Sequence, residues 1–277
     1  MLKIDAHQHF WKYDAVRDSW IDESMYTIRR DFMPRDVSPL LTKYQVAGCV
    51  AIQADQSETE TDFLLSLAAD NDFIKGVVGW VDLRSPNITE RLEHYSTFEK
   101  IKGFRHILQG EPDRALMLNP AFMKGITALK NYDFTYDILI IPDQLGFTNQ
   151  FIKTFPSQRF VIDHIAKPDI KHKNMDKWGN AIKAVAKHEN VSCKISGMIT
   201  EADWKDWTMA DIEPYLDIVF EAFGSKRVMF GSDWPVCNLA GGYDQMMLVV
   251  KNYASKLSAN EQARFWGLNA TEFYKLN

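Results

Sequence analysis

Apolar and polar positions along the chain fall into two alternating textures. Short apolar runs rich in β-branched residues recur near LKIDAHQH (2–9), VAGCVAIQA (46–54), IKGVVGWVD (74–82) and IKGFRHIL (101–108). Four more follow near FTYDILII (134–141), RFVIDHIA (159–166), VSCKISG (191–197) and RVMFGSDW (227–234), and each of the eight reads as a buried strand. Between them, ETETDFLLSLAAD, NPAFMKGITALKN, DKWGNAIKAVAKH, ADIEPYLDIVFEAFG and YDQMMLVVKNYASKL carry apolar residues at three- and four-residue steps, the spacing of amphipathic helices. Ser57 and Glu60 have capping-box spacing, and Asn119-Pro120 sets an N-cap before a proline suited to the first helical position.

Near-continuous apolar strands, each followed by a helix, imply parallel pairing with both sheet faces covered. Eight such units in 277 residues fit an α/β chain with a single (β/α)8 TIM barrel over residues 1–277 better than two doubly wound domains. No GxGxxG follows any strand, and no linker or low-complexity tract divides the chain. Residues 10–33 break the alternation with a long connection holding Trp11, Tyr13, Trp20 and Tyr26, which reads either as a lid or as a structural plug at the barrel mouth.

Composition narrows the class. With 46% hydrophobic and 25% charged residues the chain is an ordinary globular one, which excludes disorder, collagen-like repeats and a disulfide scaffold. Lys and Arg total 32 against 37 Asp and Glu, a net charge of −5, and no basic stripe is present, so nucleic acid is not an expected partner. No stretch approaches the roughly 20 apolar residues of a membrane span, and the opening MLKIDAHQHFWKYD lacks the pattern of a secretory signal. Cys49, Cys193 and Cys237 lie far apart without CxxC spacing and read as core residues in a reducing compartment, so the expected location is the cytoplasm. The unusual value is the aromatic content, 13% with eight Trp.

Candidate chemistry collects at strand ends. Strand alternation puts Asp5, His7 and His9 on one face, with two imidazoles converging at the C-terminal mouth where such barrels keep their sites. Asp163-His164 ends the sixth strand and Asp233 the eighth, so three histidines and an aspartate occupy the ends of three strands; Arg105 and His106 lie near the end of the fourth. Such imidazoles ligate a divalent metal or polarise a carbonyl, and an aspartate held ionised beside them serves as general base for water. Competing nucleophiles are thin: Ser232 lies in FGSDW without a GxSxG elbow, and nothing marks Cys237 as activated. Lys194 and Arg105 read either as site contacts or as partners of barrel carboxylates, whereas Asp55, Glu58 and Glu60 read as turn and helix-start residues.

Taken together, HQHFW, VVGWVDL (77–83), GFRH (103–106), DHIAKP (163–168), CKISG (193–197), FGSDWPV (230–236) and NATEFY (269–274) resemble the amidohydrolase-2 branch of the amidohydrolase superfamily from end to end. Within it the chain is most similar to sugar-lactone hydrolases that open L-fuconolactone, L-rhamnonolactone and related aldonolactones. The resemblance implies a (β/α)8 barrel, a small-molecule sugar lactone as partner, and Asp233 as the water-activating base beside His7, His9 and His164. It also implies either one divalent, zinc-like ion on His7, His9, His164 and Asp233 or none, because the fourth strand has no bridging Lys or Glu and the fifth no His. No organic cofactor is implied. Trp11, Trp20, Gln53, Trp80, Arg105, His106 and Tyr136 are the expected contacts for sugar hydroxyls and ring faces. The alternatives are a metal-dependent decarboxylase on the same scaffold and a barrel that binds a sugar acid without turnover; oligomeric state, ring size and the particular lactone are not readable from the sequence.

Overall fold

The computed structural model describes residues 1–277. All eight apolar runs form strands: β1 (Ile4–Gln8), β2 (Gly48–Ile52), β3 (Ile74–Gly79), β4 (Ile101–His106), β5 (Thr135–Ile138), β6 (Phe160–Ile162), β7 (Val191–Ile195) and β8 (Val228–Phe230). They pair in parallel in sequence order within one sheet. The sheet curls until its edges meet, where Gln8 bridges Trp234. Two backbone bonds make that seam, His9 N–H to the Trp234 carbonyl at 2.7 Å and Asp233 N–H to the His7 carbonyl at 2.8 Å.

The outer layer contains α1 (Pro34–Tyr44), α2 (Glu58–Asp70), α3 (Ile88–Ser96), α4 (Pro120–Leu129), α5 (Leu145–Thr154), α6 (Asp176–Ala186), α7 (Met198–Glu201), α8 (Met209–Phe223) and α9 (Gly242–Ala254). The chain ends with α10 (Ala259–Ala263) and α11 (Asn269–Tyr274). None of these helices is long and apolar enough to cross a membrane. Asn119 caps α4 as its spacing predicts, its side chain accepting from Ala121 N–H at 2.9 Å. At α2 only half of the capping box forms. Ser57 Oγ accepts from Glu60 N–H at 3.2 Å, but the Glu60 carboxylate turns back to the amides of Ala54 and Asp55. Two loop amides just past β2 have no sheet partner and compete for that carboxylate more effectively than one cap amide.

Strand alternation divides the core. Outward residues such as Tyr136 and Phe160 meet Phe122 of α4 and Phe151 of α5 at ring spacings of 5–7 Å, the range of favourable edge and offset contacts. Inward residues of the barrel floor (Ile4, Val50, Ile52, Val78, Val161 and Met229) are sealed from below by Ala270, Tyr274 and Leu276. Above that apolar floor the barrel holds charge. Lys194 Nζ lies 2.5 Å from Asp137 Oδ2 and 3.0 Å from Asp163 Oδ1, while Arg105 Nη1 reaches Asp163 Oδ2 at 3.0 Å. Tyr274 donates its hydroxyl to Asp137 at 2.7 Å, tying floor to network.

Residues 10–33 leave and rejoin the barrel through a paired neck, Trp11 and Phe32 exchanging backbone bonds of 3.0 and 2.9 Å. The segment therefore has a fixed base and presents Trp20 at its tip.

Removing one member of a buried charge cluster leaves its partners desolvated and uncompensated. Lys194→Met should therefore lower unfolding free energy by about 3–5 kcal/mol, read by urea denaturation, far beyond the cost of losing an exposed ion pair.

Candidate active site

The sequence pattern places His7 and His9 together and adds Asp5; the structure keeps the first pair and moves the aspartate. β1 is in register with β2 at Asp5 opposite Cys49 but at Gln8 opposite Ala51, so one extra residue sits in β1. Such a bulge inverts the alternation and re-aims side chains. Asp5 consequently faces the helix layer, where Ser232 N–H donates to it at 2.8 Å and the Tyr243 hydroxyl at 3.2 Å. His7 and His9 point into the barrel.

There three imidazoles converge on one oxygen. Asp233 Oδ1 lies 3.4 Å from His9 Nε2, 3.9 Å from His7 Nε2 and 3.9 Å from His164 Nε2. His7 Nε2 and His9 Nε2 are 3.2 Å apart. The opposite ring nitrogens are held from behind: His9 Nδ1 by the Ile52 carbonyl at 2.8 Å and His164 Nδ1 by Ser196 Oγ at 2.9 Å, while His7 Nδ1 lies 3.2 Å from Lys194 Nζ and 3.3 Å from Asp163 Oδ1. A carbonyl only accepts, so His9 Nδ1 carries a proton and Nε2 is the nitrogen turned to the cluster.

Burial sets the protonation states. It lowers the His164 imidazole to about 4 and His7 well below its ordinary value, so both are neutral at pH 7. Burial opposes the ionisation of Asp233, but His164, His9 and His7 outweigh it and hold the carboxyl well below the usual range. The result is an ionised carboxylate facing the neutral imidazoles of His7 and His164.

This donor set fits one divalent cation. His7, His164 and Asp233 each offer a ligand atom within 4.8 Å of the others, and His9 adds a fourth. Ligands about 2.0–2.2 Å from a tetrahedral centre stand about 3.3–3.6 Å apart, close to the 3.2–3.9 Å of the His7–His9 pair and of Asp233 Oδ1 to each imidazole. His9 and His164 also have the hydrogen-bonded rear nitrogen that orients a metal-ligating histidine.

Unusual backbone makes this convergence. His164, Ile165, Ala166 and Lys167 all have left-handed φ, between 48° and 60°, as does Asp233 at 57°. Each non-glycine residue in that region costs roughly 1–2 kcal/mol, and such strain concentrates where side chains must be aimed. The Trp178 indole N–H braces the turn by donating to the Ile165 carbonyl at 2.8 Å. Gly197, after β7, has φ 71°, and a Cβ there would sit 2.8 Å from His164 Nδ1. Only glycine permits that close approach.

Above the cluster opens a cavity of about 290 Å³ lined by His9, Trp11, Trp20, Arg105, His164 and Asp233 together with Ala54, Ile107, Gln109, Gly110, Leu139, Lys167 and Val236. Trp11 and Trp20 meet edge to face at 6.1 Å. A larger groove of about 460 Å³ around Trp204 and Trp207 is lined by no histidine or carboxylate. Of the expected contacts, Trp11, Trp20 and Arg105 line the cavity and four do not. Tyr136 lies on the outward face of β5, fully buried among Phe122, Phe151 and Phe160. Gln53 gives its amide N–H to the Arg105 carbonyl at 3.1 Å and takes the Arg105 guanidinium on its own carbonyl. Trp80 and His106 pair with each other at 3.3 Å, and His106 turns its other nitrogen to Glu111 at 2.6 Å. Lys194 and Arg105 both pair with barrel carboxylates, the second of the two readings open for each. Lys167, Gln109 and the backing role of Asp163 escape the sequence reading; DHIAKP contains two of the three, but nothing in it announces a left-handed turn.

The chain is similar to known proteins along nearly its whole length. The amidohydrolase family profile matches residues 4–276. An L-fucono-1,5-lactonase from Burkholderia multivorans is 40% identical over 99% of this chain and 96% of its own length, and one from Burkholderia ambifaria is 35% identical over 100% and 96%. A crystal structure of an amidohydrolase from Burkholderia multivorans with bound zinc matches at a TM-score of 0.97 and 39% identity, covering 100% of both chains. With a profile match across nearly its whole length, this (β/α)8 barrel belongs to the amidohydrolase family.

Proposed function

We propose that the protein is a sugar-lactone hydrolase acting on an aldono-1,5-lactone such as L-fucono-1,5-lactone, with Asp233 as its general base. The observation that carries this reading is the ionised Asp233 carboxylate set among the imidazoles of His7, His9 and His164 at the floor of a sugar-sized, tryptophan-walled cavity. Support for the substrate comes from the two lactonases, 40% and 35% identical over nearly the whole chain.

In this mechanism Asp233 Oδ1 accepts a proton from water as the water oxygen bonds to the lactone carbonyl carbon. When the tetrahedral adduct collapses, the bond from that carbon to the ring oxygen breaks. Protonated Asp233 returns its proton to the departing ring oxygen, giving the hydroxy acid. His7, His9 and His164 surround the place where the carbonyl oxygen gains charge, and they are the residues that would hold a divalent ion, zinc by the likeness to the zinc-bound relative. When bound, such an ion supplies Lewis acidity toward that oxygen. Trp11 and Trp20 exclude water from one side and offer apolar faces to sugar C–H groups.

The cavity's charge favours a neutral substrate over an aromatic carboxylate. Arg105 is paired with Asp163 at 3.0 Å and Lys167 with Glu201 at 3.3 Å, so each lining lysine or arginine already faces a carboxylate. A decarboxylase needs an uncompensated positive group for its substrate, and this lining lacks one.

Asp233→Asn keeps the shape and removes the proton acceptor. It should cut kcat on L-fucono-1,5-lactone by roughly 10²–10⁴-fold with an unchanged unfolding curve; turnover at the original rate overturns the assigned role. Gly197→Ala should lower kcat by displacing the His164 ring, while Ala at the exposed Gly146, whose Cβ meets nothing within 4 Å, should leave kcat unchanged. The depressed imidazole also predicts a pH dependence. Folded His164 takes a proton only near pH 4, the unfolded chain at about 6.5, so stability falls as pH drops from 6.5 toward 4. This group contributes a slope of up to about 1.4 kcal/mol per pH unit, and urea melts of His164→Gln across that window should show a shallower fall.

A further inference from the structure

The left-handed turn that aims His164 also delivers a second side chain to the same cavity. Lys167 ends the run at φ 48°, its amide returning to the His164 carbonyl at 2.8 Å, so both side chains issue from one short braced turn. The lysine side chain lines the cavity and is 24% exposed. Its Nζ stands 3.3 Å from Glu201 Oε1, at the end of α7, and makes no hydrogen bond within the protein that consumes its remaining donors.

Several other donors of the lining are committed. Arg105 directs Nη1 to Asp163 and Nη2 to the Gln53 carbonyl. His9 Nδ1 is held by Ile52, and the Trp11 indole N–H donates to the Arg30 carbonyl at 2.9 Å. An ammonium has three donors, and one carboxylate contact leaves two for a ligand. Glu201 fixes the direction of the stem and offsets the charge, which suits donation to a neutral hydroxyl better than capture of an anion.

We propose that Lys167 is a specificity-determining residue of this site, donating a hydrogen bond to a ring hydroxyl of the sugar lactone while the lactone carbonyl faces Asp233. The proposal rests on the lactonase reading above. A site built to bond a hydroxyl discriminates strongly against the analogue that lacks it, because the protein group is then left unpaired.

The test compares wild type with Lys167→Met on L-fucono-1,5-lactone and on its monodeoxy analogues, each lacking one ring hydroxyl. In wild type, loss of the contacted hydroxyl should lower kcat/KM by about 10–100-fold. In Lys167→Met the same loss should cost under about 3-fold, while the other analogues keep their wild-type ratios. Lys167→Gln, shorter but still a donor, serves in the same comparison where the methionine variant does not fold. Unshifted ratios for every analogue, or a decline shared equally by all, overturn the proposal while leaving an active lactonase. Wild-type enzyme inert toward every lactone overturns the lactonase reading, and this inference with it.

Discussion

Everything at the top of this barrel depends on how it tolerates charge in its middle. Asp137, Asp163, Arg105 and Lys194 are almost fully excluded from solvent, and no water-facing route lowers their cost. They are stable only as a set, with Lys194 between two carboxylates and Arg105 closing the second of them. Burial raises Asp137 to about 6 despite the lysine, whereas Lys194, His7 and Arg105 together overcome the same burial and hold Asp163 well below the carboxylate range. Asp163 is thus the dependable anion, and it is the one that backs His7. The network converts a structural necessity into a fixed orientation for the first imidazole.

The second constraint is closure. The β1–β8 seam is made by backbone bonds at His9, Trp234, Asp233 and His7, so the barrel shuts through the same residues that build the site. Asp5 reinforces it from outside by holding Ser232 N–H, a bond the β1 bulge makes available. Site geometry and barrel integrity are therefore coupled here, while the apolar floor below carries ordinary packing. That division matches the separation of chemistry from stability along the axis of such barrels.

Period-two alternation and the β/α rhythm made the strands legible, because buried parallel strands must be apolar on both faces and their helices must keep a 3.6-residue stripe. Alternation also paired His7 with His9. It failed at Asp5, since a bulge adds one residue without any mark in composition. It misplaced Tyr136 as a cavity contact, because alternation defines two faces without saying which one looks inward; the charged neighbour Asp137 takes the inner face and turns the tyrosine out among phenylalanines. Trp80 and His106 sit beside strand ends as expected, yet each satisfies the other and Glu111 rather than the cavity. Lys167 was invisible for a different reason. Four successive left-handed residues without glycine lie outside any local preference, and only tertiary bracing such as the Trp178 bond holds them.

That strained turn explains the form of the site. His164 must reach Asp233 from β6, two strands from β8, and an ordinary right-handed exit from the strand would carry the chain away toward the helix layer. A left-handed turn instead folds the chain back over the mouth, with Gly197 leaving room for the imidazole ring behind it. The same reversal carries Lys167 onto the cavity wall, where Glu201 receives it. Catalytic and wall residues thus come from one backbone distortion, so a change in its pitch moves His164 and Lys167 together. His7 and His9 are held instead by the backbone bonds of the seam.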